Sequence, residues 1–143
     1  MVREWNRADI PLVAAIDREC FTLEPWSEAE YAKEFSSEWF CGTVLEIDGE
    51  IVGYVCGKLV FEDAEILRIA VKSKWRGQGL GGMLLNGFID SVKMRGGARV
   101  FLEVRTGNVA AVRLYRSRGF TLTRERKKYY ADGEDALEMK KDL

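Results

Sequence analysis

A chain of 143 residues, 47% apolar and 31% charged, has the size and composition of one globular domain, expected over residues 1–143. A formal net charge of −1 argues against a nucleic-acid partner; with apolar runs too short for a bilayer and no secretory signal at Met1-Val2-Arg3-Glu4, a cytoplasmic protein with no membrane partner is expected. The chain has no histidine, which removes Ser-His and Cys-His nucleophiles, argues against a metal such as zinc, and leaves base chemistry to carboxylates, tyrosine or water.

Val2 to Trp5 reads as a first strand, and Asp9 as the cap of a helix whose Ile10, Val13 and Ala14 share one face and lead to Cys20. After a short loop from Phe21 to Trp26, Ser27 and Glu30 form an S-x-x-E capping box, and Tyr31 and Phe35 give the second helix its apolar stripe. Phe40 to Ile47 and Ile51 to Leu59 are β-rich runs around Asp48-Gly49, which predicts a hairpin. Ala64 to Val71 is a fourth strand. Leu80, Leu84, Phe88 and Val92 recur every fourth residue on a third helix that ends at Gly96-Gly97.

Arg99 to Val104 is a fifth strand, parallel to the fourth because a helix separates them. Asn108 caps a last helix closed by Gly119, and Phe120 to Lys128 and Asp135 to Met139 resume as strands. The order β-α-α-β-β-β-α-β-α-β-β predicts an α/β (α+β) fold: a mixed, mostly antiparallel seven-stranded sheet flanked by about four helices. Cys20, Cys41 and Cys56, odd in number and without C-x-x-C spacing, read as buried reduced thiols.

Between the fourth strand and the third helix stands Arg76-Gly77-Gln78-Gly79-Leu80-Gly81-Gly82. Four glycines in seven residues ahead of a helix let the backbone approach an anion that the helix N-terminus attracts. No Lys-Ser or Lys-Thr follows, which removes a Walker loop. Gly77, Gly79 and Gly82 also satisfy G-x-G-x-x-G, with Glu103 about twenty residues further on, so NAD(H) binding is a rival reading; the residues Lys72 to Arg76 intervening after Val71 count against it.

The R-x-x-G-x-G pattern of Arg76, Gly79 and Gly81 resembles the pyrophosphate loop of the GNAT acyltransferases that use acetyl-coenzyme A. Leu102-Glu103-Val104-Arg105 with Asn108, Ala111, Leu114-Tyr115 and Gly119-Phe120 is similar to the pattern of RimI-type N-terminal acetyltransferases. Tyr129-Tyr130-Ala131-Asp132-Gly133-Glu134-Asp135-Ala136 resembles a segment of NatA-type catalytic subunits, archaeal ones included. Gly107 departs from the pattern, where many relatives have Ser.

The resemblance implies a GNAT fold in which a splayed parallel strand pair binds acetyl-CoA along Ile69, Ala70 and Val71, with the phosphates on Arg76, Gly77, Gln78, Gly79, Leu80, Gly81 and Gly82 and a further contact from Asn108. No metal is implied. Glu103 is the candidate base and Glu65 the second choice, with Tyr115 the candidate acid for the departing thiolate and a coenzyme contact. Each has a plainer reading: an ion pair with an arginine for Glu103, core packing for Tyr115, a helix cap for Asn108.

Phe21, Glu24 and Trp26, with Tyr129 and Tyr130, would grip the first residues of a peptide. An α-amine of pKa about 8 is easier to deprotonate than lysine near ~10.4, by roughly 3 kcal/mol at neutral pH, which favours protein or peptide N-termini, ribosomal proteins among them, as acceptors. Lysine or small-amine acetylation and a non-catalytic acetyl-CoA sensor are the other readings. Monomer and weak homodimer are both compatible with the sequence.

Overall fold

The computed structural model describes residues 1–143. The strands are β1 (Val2–Glu4), β2 (Phe40–Ile47), β3 (Glu50–Val60), β4 (Asp63–Val71), β5 (Arg99–Arg105), β6 (Thr121–Arg126) and β7 (Ala136–Asp142). The helices are α1 (Ile10–Cys20), α2 (Glu28–Phe35), α3 (Leu80–Met94) and α4 (Val109–Ser117). No helix is long and apolar enough to cross a membrane.

The local signals mostly act as read. Asp48 and Gly49 both take positive φ, 50° and 79°, as a two-residue hairpin turn between right-twisted strands requires. Ser27 Oγ accepts the Glu30 N–H while Glu30 accepts the Ser27 N–H, closing the capping box of α2. Asp9 departs from expectation: its carboxylate is taken by Arg3 and by the Asn6 N–H, so its side chain does not cap α1.

The sheet order is β1-β2-β3-β4-β5-β7-β6, antiparallel except between β4 and β5. The final strand enters between β5 and β6, so β6 becomes the edge. Ile10, Val13, Ala14, Ile16 and Tyr31 of α1 and α2 pack on one face against Val44, Tyr54, Cys56 and Ala70. On the other, Leu84, Leu85, Phe88 and Val92 of α3 cover Val52, Val55, Val100, Leu102 and Met139, with Tyr115 and Phe120 beside them. Each such buried Leu or Phe contributes about 1.5–3 kcal/mol.

One irregularity shapes the site. Cys56 lies opposite Arg68 and Gly57 opposite Ile66, so Leu67 is the extra residue of a β-bulge. Pairing of β4 with β5 ends at the same place, running only from Asp63↔Arg99 to Ile66↔Leu102. Because side chains alternate along a strand, one extra residue reverses the phase. Ala64 and Ile66 face α3 before the bulge; after it Ile69 and Val71 do, while Ala70 turns to the α1–α2 side.

Candidate active site

Beyond Ile66 and Leu102 the two strands part, and the gap opens into a cleft of about 450 Å³. Its walls include Ile66 to Ile69, Leu102 to Arg105, Asn108, Tyr115 and Tyr130, with the segment from Cys20 to Glu24 and Trp26. The Lys72 N–H donates to Val52 O across β3. Alternation therefore turns the Val71 and Ile69 backbone groups to the opposite edge, the one β5 has left. Apart from Val71 O, which accepts from Arg76 Nε, these are peptide groups of the kind an extended ligand can complete.

No backbone N–H from Gly77 to Gly82 has an acceptor in the protein; the first that does is Met83, donating to Gly79 O at 3.3 Å. Gly77 and Gly79 hold φ of 79° and 77°, open to solvent, which turns these donors outward at the start of α3. A run of free N–H groups at a helix N-terminus fits a pyrophosphate. Arg76 is not turned toward it: its Nε donates to Val71 O at 3.0 Å and its Nη2 lies 3.1 Å from Cys20 Sγ.

Glu103 projects away from the buried Leu102 and Val104. Leu102 and Glu103 also wall a second cleft of about 390 Å³, alongside the paired half of β4 and β5 and lined by Lys58, Asp63, Glu65, Arg126 and Glu138. The carboxylate thus stands between the two clefts. Glu103 Oε2 lies 3.6 Å from Arg126 Nε, so the ion pair weighed from the sequence does form. Glu65 sits in the second cleft only, 3.9 Å from Lys58 Nζ.

Tyr115 is 5% exposed and lines the main cleft, edge-on to Phe120. Burial, and secondarily the proximity of Tyr130, raises its phenol above the ordinary tyrosine value, so it is protonated at neutral pH. Asn108 does both things its position allows: its Oδ1 accepts the Ala111 N–H at 3.2 Å, capping α4, and it faces the cleft.

Two aromatic walls flank the gap. Phe21, Glu24 and Trp26 form one, and Tyr130 the other. Arg105 lies 4.1 Å from the Tyr130 ring centre and bonds Asp132 and Glu134, fixing the β6–β7 turn. Burial and the charge of Glu103 push the Tyr130 phenol up to about 12. Tyr129 lies outside the main cleft, edge-on to Tyr130 and 5.3 Å from Arg126. Ala70 is packed into the α1–α2 core, and by the same alternation its peptide groups face β3, so neither its side chain nor its backbone fronts the open edge expected from the sequence.

The model of the acetyltransferase (GNAT) family matches residues 10–120. The chain belongs to this family. Ribosomal protein bS18-alanine N-acetyltransferase of Escherichia coli strain K12 is 36% identical over 141 residues, 96% of this chain and 94% of the relative. The crystal structure of the Escherichia coli ribosomal-protein-S18-alanine N-acetyltransferase superposes with a TM-score of 0.92 at 33% identity, covering 100% of this chain and 93% of that one. An N-alpha-acetyltransferase of Sulfurisphaera tokodaii is 33% identical over 123 residues, 77% of this chain and 72% of its own.

Within this GNAT frame, several site residues carried no motif. Asp17 is fully buried and accepts from Tyr31 Oη, from Tyr54 Oη and Arg68 Nη1 at 2.9 Å each, and from the Trp26 N–H at 2.7 Å. A carboxylate four residues after Val13 on the apolar stripe of α1 was its only sequence signal. Cys41 and Cys56 are buried as expected, but Cys20 is half-buried and lines the cleft. The cause is its place at the last residue of α1, where the helix runs out over the strand gap.

Proposed function

We propose that this GNAT acetyltransferase transfers the acetyl group of acetyl-CoA to the α-amine of protein N-termini, by direct attack in a ternary complex. The observation that carries the reading is the position of Glu103 on the wall shared by two clefts where β4 and β5 part. A thioester reaching in from the glycine loop and an amine entering from the other side would meet at that carboxylate. The names of the Escherichia coli and Sulfurisphaera relatives support the α-amine as acceptor.

In this reading Gly77 to Gly82 hold the phosphates, and the open edge of Ile69 to Val71 takes the pantetheine arm as an added strand. Glu103 accepts the proton of the incoming ammonium, directly or through water, and Glu65 contributes negative potential on the acceptor side. Peptide N–H groups of the same open edge stabilise charge on the carbonyl oxygen as the amine adds. The C–S bond then breaks, Tyr115 donates its phenolic proton to the leaving sulfur, and the second proton released by the attacking nitrogen returns to the Tyr115 phenolate through water. Phe21, Glu24, Trp26 and Tyr130 hold the first residues of the acceptor, with Tyr129 at the mouth. Ribosomal-protein N-termini in the cytoplasm are the leading acceptors, by analogy with the named relatives.

The test is mass spectrometry of a peptide library incubated with purified protein and acetyl-CoA, with free and blocked N-termini, each with and without an internal lysine. Acetyl groups confined to free N-termini support the reading. Acetylated lysine moves the activity to that side chain, and no transfer despite coenzyme binding overturns catalysis in favour of a sensor.

A further inference from the structure

The segment between α1 and α2 is exposed over residues 22 to 25, with Leu23 74% accessible, yet it forms one wall of the cleft. Few bonds hold it there. Between Thr22 and Trp26 it makes two hydrogen bonds to the rest of the protein: the Trp26 N–H to Asp17 Oδ2 at 2.7 Å, and the Glu24 carbonyl from Arg68 Nη2 at 2.6 Å. Arg68 Nη1 bonds Asp17 Oδ1 at 2.9 Å, so both anchors meet at one ion pair. The same guanidinium lies 4.2 Å from the Phe21 ring centre and 4.8 Å from that of Trp26.

We propose that Arg68 is the latch of the acceptor wall: a positioning residue that fixes Phe21, Glu24 and Trp26 against the open end of β4 and so sets the affinity for the acceptor. Three features separate it from a general core ion pair. The Arg68 side chain is only 12% exposed and itself borders the cleft, so what it orders is the wall a ligand meets. Its planar fork spans a carboxylate on α1 and a main-chain carbonyl in the loop, a bridge one lysine ammonium cannot reproduce while also stacking on rings. And it reaches Asp17 only because the bulge at Leu67 has reversed the phase of β4; in unbroken register it would point toward α3 with Ile66. The hub beneath it is rigid, since Tyr31 and Tyr54 are fully buried and both donate to Asp17. A lightly tethered loop on a rigid hub is the arrangement in which one bridging contact decides local order.

The proposal rests on the assignment of this wall to the acceptor, and the experiment separates the two. Arg68→Lys, and the double variant Arg68→Met with Asp17→Asn, which leaves no unpaired buried charge, are compared with the wild-type chain. The measurements are amide hydrogen exchange and steady-state kinetics with a free-N-terminus peptide. Faster exchange confined to residues 21 to 27 is expected, with exchange in α3 unchanged. The peptide KM should rise about tenfold or more in the double variant, with acetyl-CoA KM held, and by less in Arg68→Lys. Unchanged exchange in the loop overturns the latch whatever the kinetics. Faster exchange with an unchanged peptide KM overturns Arg68 as an acceptor-positioning residue and, with it, the placement of the acceptor on this wall. Equal rises in both KM values would mean a general loss of structure and likewise overturn the proposal.

Discussion

Arg126 Nε and Glu103 Oε2 face each other at 3.6 Å, and both atoms are buried with no hydrogen-bond partner in the chain. Arg126 is held from behind by Glu138 Oε2, 3.2 Å from its Nη2. The Glu103 side chain as a whole is still 25% exposed and borders both clefts, so its other oxygen is open to a donor arriving there. Glu103→Gln should therefore lower kcat by about 10²–10³-fold with little change in acetyl-CoA KM. Arg126→Met, which frees the carboxylate to turn, should lower kcat by a smaller factor of about 5–10. Steady-state kinetics on the three proteins would check both, and full activity in Glu103→Gln would remove it as the base.

Tyr115 allows chemistry and stability to be read separately. Its ring packs in the core but its hydroxyl makes no hydrogen bond within the protein, so Tyr115→Phe should cost at most about 0.5 kcal/mol of stability. The same change should reduce kcat by about 10²-fold if the phenol protonates the leaving sulfur. A thermal melt beside a kinetic assay distinguishes this from a packing role.

The phenol also predicts a pH dependence. Burial raises its pKa in the folded protein, so folding favours the protonated form. That contribution to stability is complete below the unfolded value of about 10 and is lost as pH rises from there toward the folded value. No loss of kcat traceable to Tyr115 should therefore occur below about pH 10, and a Tyr115-dependent alkaline limb near pH 8 would contradict its buried state.

Gly79 holds φ of 77° at the start of α3. An L-residue there costs about 1–2 kcal/mol, and the cheapest relief is to rotate the peptide, which also re-aims the free N–H groups beside it. Gly79→Ala should raise acetyl-CoA KM by about tenfold while leaving peptide KM near the wild-type value. An unchanged acetyl-CoA KM would exclude the loop as the phosphate site.

Thiol labelling gives a probe of occupancy. Cys41 and Cys56 are fully buried, whereas Cys20 borders the cleft with its sulfur against Arg76. Burial raises the Cys20 thiol above its ordinary value, with Arg76 opposing, so alkylation should be slow at neutral pH and quicken as pH rises. One thiol should react in the native protein, and acetyl-CoA should protect it; labelling that coenzyme leaves unaffected would place Cys20 outside the ligand's path.

Much of this architecture was written locally. The hairpin at Asp48-Gly49, the box at Ser27 and Glu30 and the stripe from Leu80 to Val92 each depend on residues near in sequence, the parallel pairing of β4 with β5 follows from the helix between them, and each forms. The place of the glycine loop ahead of α3 and the outward position of Glu103 between Leu102 and Val104 were legible from spacing and alternation. Non-local features were not. The entry of β7 between β5 and β6 depends on a pairing no turn dictates, and Arg68 looked like an ordinary charge in a strand because its partner Asp17 lies 51 residues away. Arg76 carried a motif but rests on Cys20 and Val71 O instead, two acceptors that the end of α1 and the end of β4 bring beside it.

The extra residue at Leu67 makes β4 two strands spliced end to end. The first half is scaffold, hydrogen-bonded on both edges; the second keeps one edge free and presents Arg68 to the opposite layer. Deleting a single residue there would re-phase everything that follows, sending Ile69 and Val71 into the territory of Tyr54 and Asp17 and stranding the arginine among leucines. The length of this one strand is therefore constrained more tightly than its composition: Leu67 can be exchanged for another side chain, but the position it occupies cannot be removed.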